Sequence, residues 1–178
     1  MLLIVGGIII LLVLVTVGIA RWTDDQPPVA SVANFDDCAA AGYQVMESYP
    51  ARCSTPDGRT FTQDIGNELE KTDLIRITAP RPGQIITSPV VIEGEARGNW
   101  FFEASFPARL LDGNGVELAV IPVQATGEWM TTEFVDFQST MIFPLPTTAT
   151  GTLILEKDNP SGLPENADQL IIPIRFVK

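Results

Sequence analysis

The feature that most constrains the fold is a series of about seven short apolar runs in residues 74–178, rich in β-branched and aromatic residues. In order, the runs are "LIRITA", "VVIEGEA", "WFFEASFPARLLD", "VELAVIPVQA", "TTEFVDFQSTMIFPLP", "GTLILEKD" and "LIIPIRFV". Turn residues separate them at a spacing of roughly 8–12 residues, with no helical pattern between. Residues 74–178 are therefore predicted to form an antiparallel β-sandwich with Ig-like topology, and a barrel is the alternative.

Two prolines refine this prediction. Pro122 and Pro173 lie inside apolar runs, where a residue without a backbone N–H interrupts a hydrogen-bonded ladder. We expect edge strands or bulges at both positions. The region contains no cysteine, so the bridge between sheets that is typical of antibody domains is absent.

The N-terminal segment has a different character, because residues 2–20 are almost entirely aliphatic and carry no charge. At about 1.5 Å per residue, a helix of this length roughly matches the ~30 Å hydrocarbon core of a membrane. Residues 1–21 are predicted to form a transmembrane anchor that contacts the lipid bilayer through residues 2–20. A cleaved signal peptide is the alternative, since Gly18 and Ala20 suit a cleavage site, although no basic residue precedes the run.

Cys38 and Cys53 are the only two cysteines, and their chemistry sets the compartment. The chain has no histidine, so the pair cannot complete a four-ligand zinc site, and its spacing is not that of a C-x-x-C redox motif. A disulfide would contribute about 3 kcal/mol by closing a loop of this size. Two free thiols are the alternative. A disulfide implies an oxidising compartment, which predicts a cytoplasmic N-terminus and an extracytoplasmic C-terminal domain in a single-pass membrane protein.

The cysteines belong to a predicted small module over residues 34–64. Asn34 is a suitable N-cap for a short helix through "DDCAAAG", and Gly42 is placed to end it. The stretch "TPDGRTF" predicts a turn that leads into a short strand. Residues 22–33 and 65–73, which flank the module, are interpreted as linkers.

Charge and composition exclude several functions. The formal net charge of −11 disfavours nucleic acid as a partner. Without histidine, neither Ser-His-Asp nor Cys-His catalysis is available. Glu93 and Glu95 alternate along one predicted strand and are expected to be solvated. We expect no enzyme activity, catalytic residue, cofactor or metal site, although weak calcium binding by the acidic loop at residues 158–168 is an alternative.

Trp100, Phe101 and Trp129 are the candidates for a binding surface. If they lay together on one rim of the sandwich, their rings would form a platform for a glycan or a protein. The alternative is that they fill the core or close its ends.

Two stretches resemble known sequences. The segment "NFDDCAAAGYQVMESYPARCSTPDGRTF" resembles a short two-cysteine module of bacterial envelope proteins and lipoproteins. Its matching residues are Cys38, Gly42, Glu47, Ser48, Tyr49, Pro50, Cys53, Asp57, Gly58 and Phe61. Residues 74–177 resemble the immunoglobulin-like domain of bacterial spore germination proteins. The matching residues there are Pro80, Gly83, Ser88, Pro89, Gly94, Ala96, Phe102, Glu103, Ala104, Asp112 and Gly115.

These resemblances imply a fold more than a function. Domains of these two kinds are expected in anchored extracytoplasmic proteins, and their binding partners are undefined. The sequence thus predicts a non-catalytic, membrane-anchored Ig-like protein of the bacterial cell envelope that binds another protein or an envelope polymer. A structural spacer without a dedicated ligand is the alternative.

Overall fold

The computed structural model describes residues 29–177, which form a three-stranded sheet and an eight-stranded sheet. The small sheet contains β1 (Gln44–Met46), β2 (Arg52–Ser54) and β3 (Thr60–Thr62). The large sheet contains β4 (Ile75–Ala79), β5 (Ile85–Ile86), β6 (Val90–Arg97), β7 (Ser105–Asp112), β8 (Glu117–Ala125), β9 (Phe134–Met141), β10 (Thr150–Glu156) and β11 (Gln169–Phe176). Two short helices, α1 (Phe35–Ala40) and α2 (Glu68–Lys71), precede β1 and β4 respectively.

The predicted anchor over residues 1–21 lies outside the described residues. Within residues 29–177, none of the helices has the length and apolar character that crossing a membrane requires.

The small module folds as its local signals predict. Asn34 caps α1, and its side-chain oxygen accepts a hydrogen bond of 2.8 Å from the backbone N–H of Asp37. Gly42 follows the helix with φ of 76°, a left-handed conformation that glycine adopts without a steric cost. The turn before β3 contains Gly58, also at positive φ. The predictions of the helix, its end and the turn are confirmed.

The large sheet folds into a β-sandwich. The hydrogen-bonded order is β4-β6-β9-β8-β7-β10-β11-β5, and β8 and β9 are joined by only two residue pairs near Ala125. The sheet divides at this narrow connection into a three-stranded layer, β4-β6-β9, and a five-stranded layer. All seven predicted strands are present. The additional strand is β5, a two-residue element that pairs in parallel with the end of β11 and is too short to leave a sequence pattern.

Side chains alternate between buried and partly exposed positions along strands such as β7 and β10, and the buried ones form the core between the layers. Along β7, Phe106, Ala108 and Leu110 are buried, whereas their neighbours in sequence are partly exposed. The Phe106 ring lies edge-to-face against Phe137 of β9, with ring centroids 5.1 Å apart. One face of each layer therefore supplies the core, as the period-two pattern requires.

Contrary to expectation, the two prolines lie neither on an edge strand nor at a bulge, but on strands that are paired along only part of one side. Pro122 is in β8, whose second neighbour, β9, pairs only with Gln124 and Ala125. Pro173 is in β11, whose second neighbour, β5, pairs only with Arg175 and Phe176. Neither proline removes a donor from a ladder that is complete on both sides.

The stretch interpreted as a second linker, residues 65–73, contains α2 and lies against β11. Ile65 is buried, and the Asn67 side chain accepts a hydrogen bond of 2.7 Å from the backbone N–H of Ile171. A Cβ atom added to Gly66 would lie 1.9 Å from the carbonyl oxygen of Ile171. This stretch therefore packs closely on the sandwich and is not a free linker between the two sheets.

Candidate binding cleft

The disulfide is the centre of the small module. Cys38 of α1 and Cys53 of β2 are bonded, with Cα atoms 6.0 Å apart, and both are fully buried. Phe35, Tyr43 and Phe61 pack against this small core. The predicted pairing is confirmed, and the bond joins the helix to the central strand of the three-stranded sheet.

Between the module and the sandwich lies a cleft with a volume of about 460 Å³. The module forms one wall with the start of α1 and the end of β3, and the sandwich forms the other with the β7–β8 turn and the adjoining ends of β10 and β11. The polar and aromatic lining residues are Asn34, Phe35, Asp36, Thr62, Gln63, Asp64, Asp112, Thr150, Thr152 and Arg175. Four glycines, including Gly113 and Gly115 of the β7–β8 turn, leave the remaining surface open to a ligand's close approach.

The β7–β8 turn is held by its own aspartate. Asp112 is buried, and its Oδ1 atom accepts hydrogen bonds of 2.9 Å from the backbone N–H groups of Asn114 and Val116. The hydroxyl of Thr147 donates to Oδ2. The hydrogen bond from Val116 is the largest cause that lowers the pKa of this carboxyl below its usual range. The Asp112 carboxylate therefore stabilises the turn through these hydrogen bonds.

The remaining charges make the cleft acidic at its entrance. Asp36 lies 4.0 Å from Arg175, both partly exposed, and the two form a weak ion pair across the cleft. Asp64 is exposed, and one carboxylate oxygen accepts a hydrogen bond from the N–H of Gly66. With amides, hydroxyls and a half-buried phenylalanine ring between these carboxylates, the cleft suits a polar ligand that is neutral or positively charged.

A second contact, on the β4 side of the sandwich, fixes the module to the large domain. Glu68 of α2 is buried and accepts hydrogen bonds from the Tyr49 hydroxyl and from Nη1 of Arg81, the latter at 2.6 Å. Arg81 also donates through Nη2 to the Tyr49 oxygen at 2.7 Å. We call these three residues the clamp. Because one member comes from the module, one from α2 and one from the β4–β5 loop, the clamp joins three segments.

The clamp gives a prediction for alkaline pH. Residue Tyr49 is half exposed, but its hydroxyl lies between Glu68 and Arg81. Desolvation of the hydroxyl, followed by its interactions with the Glu68 carboxylate, raises the pKa of Tyr49 to about 12. A raised pKa in the folded state means that the stabilising contribution is complete below the unfolded value, about 10, and is lost as the pH rises through the folded value. We therefore expect the docking of the module to weaken from pH 10 to 12.

Phenolate absorbance during a pH titration checks the raised pKa of Tyr49. The measurement is simple to interpret because the chain contains only two tyrosines, Tyr43 and Tyr49. The variant Tyr49→Phe is expected to remove a step near pH 12 and to leave the other step in place. A titration in which Tyr49→Phe removes a step near pH 10 would contradict the clamp.

The structure corrects the predicted aromatic platform. Trp100 and Phe101 are buried, with exposed fractions of 1% and 4%, and Trp129 is partly buried against the same core. A short 3₁₀ turn at Gly98–Trp100 directs this part of the chain inward, where Phe101 packs on Phe106. The prediction that Trp100 and Phe101 form an exposed binding surface is therefore wrong. The neighbouring Phe102 is the ring of this segment that is exposed.

The acidic loop at residues 158–168 is organised by its own polar side chains. Asn159, Ser161 and Asn166 are linked by hydrogen bonds within the loop. Burial raises the pKa of Asp158, and the nearby Glu103 carboxylate acts in the same direction. Within residues 29–177, no group of three or more His, Cys, Asp or Glu side chains is placed to hold a metal ion.

The fold defines the class of the large domain as an Ig-like β-sandwich. A model of one protein family, described as the immunoglobulin-like domain of bacterial spore germination, matches residues 74–162, which is half of the chain. The chain therefore belongs to this family, which is a non-enzymatic fold family. The match covers β4 to β10 and ends in the loop before β11. No curated protein is significantly similar to the chain.

Sequence reasoning missed both the cleft and the clamp. The sequence identifies Tyr49 only as part of the two-cysteine module, and it predicts a linker around Glu68. No amphipathic pattern marks α2, because Leu69 is exposed and the buried residue of this helix is the acidic Glu68. The partners of Glu68 come from segments 13 and 19 residues away, and no local pattern specifies such a contact.

Proposed function

We propose that this protein is a membrane-anchored, extracytoplasmic binding protein without catalytic activity. In this proposal the anchor is residues 1–21, and the cleft between the module and the sandwich binds a segment of an envelope protein or polymer. The observation that carries the proposal is the cleft itself. Two separate folding units meet there and leave about 460 Å³ lined by amides, hydroxyls and partly exposed carboxylates.

The chemistry of the cleft limits the classes of ligand that it can bind. Asp36 and Asp64 repel phosphate and anionic polymers, whereas they attract amines. Amide and hydroxyl groups such as those of Gln63 and Thr152 suit the hydrogen-bonding surface of a peptide or a glycan. We therefore propose an amine-bearing peptide or glycopeptide segment as the ligand class.

The location outside the cytoplasm is supported by the disulfide, because such bonds persist in oxidising compartments. The long apolar run at residues 2–20 supports the anchor. Together they favour a single-pass arrangement with a cytoplasmic N-terminus.

The binding proposal is tested by filling the cleft from β3. Thr62 lines the cleft and is exposed, whereas Thr60 is exposed two residues earlier on the same strand and does not line it. The full chain in detergent would be mixed with insoluble peptidoglycan, and the bound fraction would be measured by sedimentation. Thr62→Trp is expected to reduce the affinity at least tenfold, about 1.4 kcal/mol, and the matched control Thr60→Trp should leave it unchanged.

Equal binding by the two variants would contradict a role for the cleft. No binding by the unmodified chain, to peptidoglycan or to an extract of envelope proteins, would favour the alternative, a structural spacer. The clamp supports that alternative, since Tyr49 fixes the module to the sandwich through its hydrogen bonds with Glu68 and Arg81.

A further inference from the structure

Two segments at one end of the sandwich carry no charged side chain, although Arg175 of β11 lies beside them, paired with Ile85. Residues 85–91 and residues 142–149 contain no Asp, Glu, Lys or Arg. The two segments touch, because the backbone N–H of Phe143 donates a hydrogen bond of 3.0 Å to Oγ of Ser88. We call the surface formed by these two segments the uncharged end.

The uncharged end exposes large aliphatic side chains. Leu145 is 89% exposed and Ile142 is 75% exposed. Between them Phe143 turns inward, with its ring centroid 5.8 Å from that of Phe176. This inward residue anchors the loop, while Pro144 and Pro146 restrict the backbone on either side of Leu145. The two exposed side chains are thus presented by a constrained loop, which distinguishes them from single apolar residues scattered over a surface.

The uncharged end lies at the same end of the sandwich as the start of the module. The hydroxyl of Thr147 donates to Asp112, and the N–H of Gly113 donates to Oγ1 of Thr148. Asp112 and Gly113 line the cleft opposite Asn34. The loop, the β7–β8 turn and the first residues of α1 are therefore neighbours.

The chain enters the described structure close to this end. Val29 is held by a hydrogen bond from Arg59 to its carbonyl oxygen. Four residues lie between it and Asn34, so the two Cα atoms are at most about 17 Å apart. The eight residues 21–28 that lead back to the apolar run could span at most about 28 Å. A membrane anchored at residues 2–20 therefore lies within reach of the uncharged end.

We infer that the uncharged end rests on the lipid bilayer, with Ile142 and Leu145 inserted into the interface between headgroups and acyl chains. This inference rests on the proposed anchor. A surface without charge avoids both the desolvation cost of inserted ions and the repulsion between an acidic protein and anionic lipids. Aliphatic side chains at that depth, roughly 5–10 Å below the headgroups, are removed from water. The cleft, at the same end, would then open close to the membrane surface.

The test places a fluorescent probe on each end of the sandwich. The full chain is reconstituted into zwitterionic phosphatidylcholine vesicles, with and without brominated acyl chains, which quench tryptophan by contact. Leu145→Trp probes the uncharged end. Met130→Trp is the matched control, because Met130 is 79% exposed in the β8–β9 loop at the opposite end. The emission of each variant is compared with that of the unmodified chain, so that the contribution of Trp22, Trp100 and Trp129 can be subtracted.

We expect the added emission of Leu145→Trp to shift to the blue and to be quenched by the brominated lipid, with neither effect for Met130→Trp. Retention of the chain after an alkaline carbonate wash tests the anchor separately. A retained chain in which neither probe is quenched, or both are quenched equally, would overturn the inference and leave the anchor standing. A blue shift without quenching that grows with protein density would identify a second copy as the occupant and would also overturn it. Release by carbonate would overturn the anchor, and the inference with it.

Discussion

Loss of the disulfide is expected to unfold the small module while the sandwich stays folded. In Cys38→Ser, the closed loop between Cys38 and Cys53 is opened, and the entropy that the unfolded chain regains lowers the free energy of unfolding of the module by about 3 kcal/mol. The module has little else to compensate, because its buried core consists of Val32, Ala41 and the two cysteines. Limited proteolysis measures the effect, since new cleavage sites should appear within residues 34–64 but not in β6 to β11.

Reduction of the unmodified protein provides the control, because it opens the same loop without changing a side chain. It should produce the same proteolytic pattern as Cys38→Ser. A module that resists protease equally in both states would show that its packing against α2 and the clamp is sufficient without the bond. In intact cells, thiols that react only after reduction would support the extracytoplasmic location of the domain.

Truncation of Phe137 to alanine is expected to produce the largest loss of stability in the sandwich, about 3–5 kcal/mol. Phe137 is 1% exposed and lies near the narrow connection between the two layers, where its ring meets the edge of Phe106. Removing it opens a cavity that the surrounding β-strands cannot close, because their positions are set by backbone hydrogen bonds. Denaturant unfolding followed by tryptophan fluorescence measures the change, since Trp100 belongs to the same core.

The matched control is Phe102→Ala, which removes the same ring at a position that is 43% exposed. It is expected to change the free energy of unfolding by about 0.5 kcal/mol or less. Equal losses for the two variants would show that Phe137 does not occupy the tightly packed position that the structure assigns to it.

Most of the fold could be predicted because its determinants are local or periodic. The alternation along β7 and β10 repeats every two residues, and the turns between strands contain glycine, asparagine and aspartate, whose backbone preferences act over four residues. The helix cap at Asn34 and the helix end at Gly42 are signals of the same range. The fold class and the position of each long strand follow from such patterns.

The orientation of the aromatic residues could not be predicted from local patterns. Trp100 and Phe101 follow a strand that is amphipathic, and a sequence pattern cannot tell whether the rings after it turn inward or outward. The direction depends on the 3₁₀ turn at Gly98, where a Cβ atom would lie 2.0 Å from the carbonyl oxygen of Thr131. That contact joins segments more than thirty residues apart, so it exists only in the tertiary structure.

By itself, the sequence determined the Ig-like class of the large domain, the Cys38–Cys53 disulfide before it and the absence of histidine-based chemistry. Each of these follows from residue identity and short-range spacing. Only the tertiary structure decided that the second linker packs on the sandwich, that Glu68 joins Tyr49 to Arg81, and that the module and the β7–β8 turn enclose a cleft. The physical reason is that burial and hydrogen bonding between distant segments depend on how the two sheets pack together, and that arrangement leaves no periodic trace in the chain.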